Sequence, residues 1–176
     1  MITTNRNDIK ITYLKQNISR WTFSSPKVGE WVKNVTLSGE VLNLFAGKTH
    51  LFENDDNHIE TRVDISDEFD PPFLSDAALF LQSIHGSWET IILDPPYSYR
   101  KSMEKYKGKT VSNFRKVKDL IIELPVKPKR VITFGYQSVS MGESRGYKVS
   151  ELLIVSHGGA YHDTIATVED LMENCK

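Results

Sequence analysis

Short apolar blocks alternate along this chain with stretches in which apolar side chains recur every three or four positions. The blocks predict strands and the spaced stretches predict helices. "FSSPKVGEWVKNV" (23–35) predicts a helix, with Ser25 as its cap and Pro26 in the first helical position. "EVLNLFAG" (40–47) reads as a buried strand running into a glycine turn, and "IETRVDIS" (59–66) as a second strand, acidic at its end. Leu74, Ala77, Ala78, Leu81 and Ile84 fall on one helical face. "ETIIL" (89–93) is β-branched and short, a third strand. A polar stretch (98–112) leads into a helix over 111–124, with Phe114, Val117, Ile121 and Leu124 along one side, and "RVITFGY" (130–136) is a fourth strand. Residues 147–169 hold two strand-like runs around "HGG", the signature of a hairpin turning at Gly158 and Gly159. The link between the first two strands, "KTHLFENDDNH", is only marginally long enough for a helix. Strands alternating with helices imply an α/β fold: a mostly parallel sheet closed by a C-terminal antiparallel hairpin.

Length and composition narrow the classes. At 176 residues the chain suits one domain over 1–176. Charged residues make up 26% yet the net charge is only −1, so no overall field draws the molecule onto nucleic acid. No apolar run approaches the ~18 residues of a membrane span, and "MITTNRNDIKITYLK" lacks the layout of a signal peptide. Cys175 is the sole cysteine, which excludes a disulfide framework and a thiolate metal site. A cytoplasmic protein with no membrane contact is the expectation.

Aspartate followed by two prolines and an aromatic occurs twice, in "DEFDPPFL" (67–74) and "IILDPPYS" (91–98). In open α/β sheets the chemistry sits just beyond the carboxyl ends of strands. Asp94 directly follows "TIIL"; Asp70 follows an acidic stretch with no strand pattern, where Pro71 and Pro72 make a stiff turn ahead of a helix. The later copy is therefore the candidate. Pro95 and Pro96 each hold φ near −65° and donate no hydrogen bond, so the carbonyls there are fixed acceptors beside the Asp94 carboxylate. An amino group has two hydrogens to place, and Asp94 with the Pro95 carbonyl offers two acceptors. Tyr97 adds a flat face on which a base would stack for ~1–3 kcal/mol.

With "DPPY" (94–97) in that place, the sequence resembles the S-adenosylmethionine-dependent methyltransferases that modify exocyclic amino groups, the DNA adenine and RNA N-methylases in particular. "LNLFAG" (42–47) is similar to their first motif, which implies a cofactor turn at Asn43, Phe45, Ala46 and Gly47. The family opens that motif with aspartate and adds a second glycine, where this chain holds Asn43 and Thr49. The resemblance assigns Asp64 to the ribose hydroxyls, Asp76 in "SDAALFL" to the adenine amino group and Ala77 to the ring alongside. "WTFSSPKVGEWV" (21–32) resembles the segment that touches the methionine end of the cofactor, which brings in Phe23. The implied organisation is an N-terminal arm (1–20), a helix ahead of the first motif (21–35) and a Rossmann-like class I methyltransferase core (40–176) with seven strands, the last antiparallel. The implied activity is N-methylation of a DNA or RNA base. Two other readings of the motif are methylation of a protein glutamine amide and a methyltransferase-like binding subunit that relies on a partner.

Residues 100–119 contain eight Lys/Arg against two acids, a local charge of +6 (8 − 2) immediately after the catalytic turn. Arg100, Lys101, Lys105 and Lys107, with Tyr99 beside them, are the candidate contacts to nucleic acid; a solvated helix face is the bland alternative. Loops, a homodimer partner or another recognition protein would supply the target selection for which the chain has no evident separate domain. "AGKT" (46–49) is not a phosphate loop, because Leu42 stands where the leading glycine is required, and nothing matches G-x-G-x-x-G. His157, His162 and Asp163 lack the ligand pattern of a metal site, and none is expected.

Overall fold

The computed structural model describes residues 9–17, 19, 21–84, 86–96, 113–159 and 161–173. Its strands are β1 (Lys10–Lys15), β2 (Gly39–Leu44), β3 (His58–Asp64), β4 (Phe73–Leu74), β5 (Thr90–Leu93), β6 (Arg130–Gly135), β7 (Tyr147–Ser156) and β8 (Thr164–Leu171), and its α-helices α1 (Pro26–Val35), α2 (Ala77–Ser83) and α3 (Phe114–Glu123). The strands form one sheet in the order β1-β7-β8-β6-β5-β2-β3-β4. Every neighbouring pair is parallel except those of β8, which runs antiparallel to both β6 and β7. This is the mostly parallel α/β sheet with a C-terminal antiparallel hairpin that the alternation predicts, extended at one edge by β1.

Period-two alternation decides what each face of the sheet buries. Leu42, Leu44, Ile91 and Leu93 face α2 and α3, in one apolar cluster with Ala78, Leu81, Val117 and Ile121. Val41, Ile92 and Ile132 point the other way, towards Val28, Trp31 and Val32 of α1. Leu42, Ile91 and Ile92 are wholly buried, each stabilising the sheet by roughly 1.5–3 kcal/mol. α1 begins where Pro26 follows Ser25, although the Ser25 side chain makes no capping bond. α2 is capped by Asp76, whose carboxylate accepts from the amides of Ala78 and Leu79, and α3 by Asn113, which accepts from Arg115.

The structure departs from these expectations at five points. Leu74 lies not on α2 but on β4, 58% exposed, because Asp76 caps the helix two residues later. The Asp70-Pro71-Pro72 turn therefore leads into a short edge strand, with Asp70 in the left-handed region (φ 42°) closing a 3-10 turn over Asp67–Phe69. Between β2 and β3 the chain makes turns and no helix, with Leu51 and Phe52 buried where a helix face would lie. The segment read as an N-terminal arm also contributes β1, paired along β7 from Lys10–Glu151 to Lys15–Ser156. The hairpin link 157–163 is longer than a two-residue turn, and Gly158 takes φ 90° within it.

Candidate active site

The chain order reverses between β2 and β5: β3 and β4 build out on one side, β6 on the other. A crevice opens at such a point, beyond the carboxyl ends of the strands. β2 delivers the glycine turn there and β5 delivers Asp94-Pro95-Pro96, all three partly exposed. The Asp94 amide lies 3.5 Å from the Leu44 carbonyl, at the limit of a hydrogen bond, so the aspartate and the glycine turn begin from adjacent strand ends. Tyr97, Tyr99, Arg100, Lys101, Lys105 and Lys107 lie outside the described residues.

The glycine turn is held from β3. Ala46 donates its amide to the Val63 carbonyl at 3.1 Å and Gly47 to Asp64 Oδ2 at 2.8 Å, while the Gly47 carbonyl accepts from Arg62 Nη2 at 2.7 Å. Arg62 Nη1 also meets His50 Nε2 at 3.0 Å. Gly47 sits at φ 56°, where a side chain is unfavourable, yet Phe45 two residues earlier takes φ 64°. A non-glycine residue in that region costs of order 1–3 kcal/mol, which the surrounding bonds must offset. Asp64 is 2% exposed, and its second oxygen accepts from the Ser66 amide at 2.8 Å. Burial raises its pKa above the ordinary value, against the pull of the Ser66 and Gly47 amides.

Asn43 is fully buried and turned into the sheet, its Nδ2 donating to Glu60 Oε1 at 2.7 Å. An aspartate here would face the Glu60 carboxylate, so the amide is the side chain that this neighbour permits. Burial also raises the Glu60 pKa, which the Asn43 bond opposes.

Beside the turn lies a shallow recess lined by Phe45, Val63, Asp64, Ile65, Ser75, Asp76 and Ala77. Phe45, Asp64, Asp76 and Ala77, named separately from the sequence, meet there. Asp76 Oδ1 is committed to the amides of Ala78 and Leu79, which orients the carboxylate at the rim. Phe45 also meets Phe114 of α3 edge-on, with centroids 6.4 Å apart. Phe23, by contrast, packs edge-on against Phe134 at 5.0 Å, joining the α1 side of the core.

Two residues that motif reading passed over belong to this site. Trp21 lies across the glycine turn: a Cβ placed on Gly47 would come 3.7 Å from its ring. Phe69 meets that ring edge-on at 5.3 Å, and Lys48 Nζ lies 5.3 Å from its centroid. Arg62 is 3% exposed. Its signal in the sequence is Glu60, Arg62 and Asp64 at period two on a strand, charged groups on a face that the fold buries. His157 has a structural place instead, meeting the Gln16 carbonyl and the Thr164 hydroxyl at 3.3 and 3.0 Å. Among the described residues no group of three His, Cys, Asp or Glu side chains is arranged to hold a metal ion, and no helix is long and apolar enough to cross a membrane.

No protein-family model matches the chain, and no curated protein matches it in sequence. Solved structures do match in fold. The N-methyltransferase NodS from Bradyrhizobium japonicum WM9, in complex with S-adenosyl-L-homocysteine, superposes with a TM-score of 0.59 at 10% identity, over 86% of this chain and 90% of that one. TrmN from Thermus thermophilus gives 0.57 at 13% identity, over 84% of this chain and 49% of that one. A putative RNA methyltransferase, PH1948 from Pyrococcus horikoshii, gives 0.56 at 10% identity over 85% and 82%. At such identities the likeness is one of architecture: the sheet and its crevice have the Rossmann-like methyltransferase fold.

Proposed function

We propose that this chain is an S-adenosylmethionine-dependent N-methyltransferase acting on the exocyclic amino group of a nucleic-acid base, in DNA or RNA. One observation carries the reading: Asp94-Pro95-Pro96 stands at the end of β5, its first amide 3.5 Å from the Leu44 carbonyl at the end of β2, where the glycine turn begins. The lining of the recess matches the cofactor in chemistry, with Phe45, Val63, Ile65 and Ala77 as apolar walls and carboxylates at Asp64 and Asp76. Each carboxylate oxygen has more than one acceptor direction, so Asp64 serves ribose hydroxyls while it holds Gly47 and Ser66. Asp76 and the Ala77 backbone border the adenine. Trp21 and Lys48 complete the wall over the glycine turn, and the indole offers a π-face to a cation.

When bound, the cofactor supplies an electrophilic methyl group on a sulfonium. The chain's own work is alignment. The target base, taken out of its stack, rests on Tyr97 with its amino hydrogens directed to the Asp94 carboxylate and the Pro95 carbonyl. Those two acceptors would hold the amino hydrogens to one side, so that the nitrogen lone pair is free to face the methyl a bound cofactor would offer. Asp94 then stabilises the positive charge that develops on nitrogen until a proton leaves to water. Most of the acceleration comes from positioning and preorganised charge, so the site needs no strong base.

The decisive assay follows labelled methyl from S-adenosylmethionine into DNA, RNA and protein, with Asp94→Ala in parallel. Transfer to a nucleoside amino group that falls at least about 100-fold in the variant, with cofactor affinity unchanged, supports the reading. Full transfer by Asp94→Ala removes it. One observation favours a second reading, a binding subunit that needs a partner: the Gly47 amide and carbonyl are both already engaged by Asp64 and Arg62. Failure of the isolated protein to bind S-adenosylmethionine would leave only that alternative.

A further inference from the structure

Tyr136 is the first residue beyond β6 and is 42% exposed, and its ring lies against His162, centroids 5.6 Å apart at 52°. His162 is exposed and follows Tyr161, itself 55% exposed. These rings belong to the edge of the sheet that presents Asp94. β8 runs antiparallel to β6 with Gly135 opposite Ile165, so the 157–163 link rises at the carboxyl end of β6. β5 and β6 are paired through Leu93 and Thr133; Pro96 and Tyr136 each stand three residues further on, along strands spaced ~4.8 Å apart.

The edge containing Tyr136 is also braced. The buried carboxylate of Glu169 accepts from three successive amides, those of Ser140, Met141 and Gly142, at 3.1, 2.8 and 2.8 Å, which closes the loop that Tyr136 opens. A phenol and an imidazole side by side present flat, polar-edged faces, the chemistry on which a nucleobase stacks. Asp163 follows His162 directly and disfavours phosphate at this rim, so base faces are the matching group. The phosphates have a partner elsewhere, in the +6 segment (8 − 2) over residues 100–119 that follows the catalytic turn in sequence.

We propose that Tyr136 and His162, with Tyr161 preceding His162 in the chain, form a stacking platform for the unpaired nucleotide that flanks the target base. The proposal rests on the reading of Asp94 given above and adds a substrate form to it: a single-stranded or locally opened nucleic acid, held by a base adjacent to the one that is modified. The platform supplies position and affinity and takes no part in the transfer.

The test uses fluorescein-labelled single-stranded oligonucleotides, in DNA and RNA versions. Each has one amino-bearing base (adenine, cytosine or guanine in turn) among thymines or uracils, and an abasic site is scanned through the flanking positions. Wild-type protein should lose about tenfold in affinity when the stacked flanking base is removed. Tyr136→Ala should lose about the same on the intact oligonucleotide and nothing further on the abasic one, while Tyr136→Phe binds as wild type. His162→Ala should show the same pattern more weakly. The salt slope of these variants should not move, since no phosphate contact is removed. Affinities unchanged in Tyr136→Ala and His162→Ala, or losses that add to that of the abasic site, overturn the platform. Methyl transfer to the same oligonucleotides is followed in parallel. Transfer by wild type together with additive binding losses removes the platform alone; no transfer to any nucleic acid, or transfer only to protein, removes the reading of Asp94 and the platform with it.

Discussion

Asn43 and Glu60 form a matched pair, and neither is intelligible alone. The fully buried amide donates to a carboxylate whose pKa burial has raised. Asn43→Asp should therefore destabilise the protein by about 3 kcal/mol, by leaving a second buried charge without a partner, and adding Glu60→Gln should recover most of the loss in denaturant titrations. Glu60→Gln alone has a pH signature. With the folded pKa above the ordinary 4.5, the folded state takes up the proton first. Stability from this group is thus fully present below 4.5 and lost as pH rises through the folded value. The glutamine variant should melt above wild type at pH 8, and the difference should close towards pH 4. The introduced amide keeps an oxygen to accept from the Phe52 amide, as Glu60 does, and its nitrogen can donate to Asn43 Oδ1, which has no partner among the described residues. The Asn43 amide is readable in the sequence as a departure from the methyltransferase pattern, but its reason is not: Glu60 stands 17 positions away and comes alongside only when β2 and β3 pair.

The loop after β6 depends on β8 for its shape. Glu169 is 0% exposed, and its two oxygens satisfy three amides that would otherwise lack acceptors. Glu169→Gln keeps one acceptor and turns an amide NH₂ towards a donor, so it should cost about 2–4 kcal/mol in chemical unfolding. If the loop carries Tyr136 as proposed, the same variant should weaken oligonucleotide binding while leaving cofactor affinity alone. Strand and helix positions are largely legible from periodicity, because a strand half in the core must alternate and a packed helix must show an apolar stripe. The exceptions are the short pieces. β4 has two residues and no period to read, and Leu74 on it falls in step with the stripe of α2 until the Asp76 cap separates them.

Net charge −1 conceals a strongly basic stretch, and electrostatic attraction to phosphates would arise from that stretch and not from the overall charge. A charge-reversal pair, Lys105→Glu with Lys107→Glu, should weaken binding and flatten the dependence of log K on log salt by about 1.5 for two lost single-strand phosphate contacts. Salt slopes equal to wild type would assign the basic run to solvent. The positional rule for open α/β sheets separates the two Asp-Pro-Pro copies from sequence alone; in the structure Asp94 directly follows β5 beside β2, while Asp70 precedes β4.

Local order is written into the chain. Apolar spacing, Pro26 at a helix start, Gly47 after a buried strand and Asp94 after "TIIL" each depend on residues within one turn or one strand, so their signals survive without neighbours. Contacts between distant segments do not. That Trp21 lies over Gly47, that Arg62 and Asp64 hold the turn by its carbonyl and amide, and that Tyr136 meets His162 follow from which faces remain to be buried once the sheet has chosen its order. Side chains from separate strands become neighbours at hydrogen-bonding distance only through that order, and a linear pattern carries no record of it.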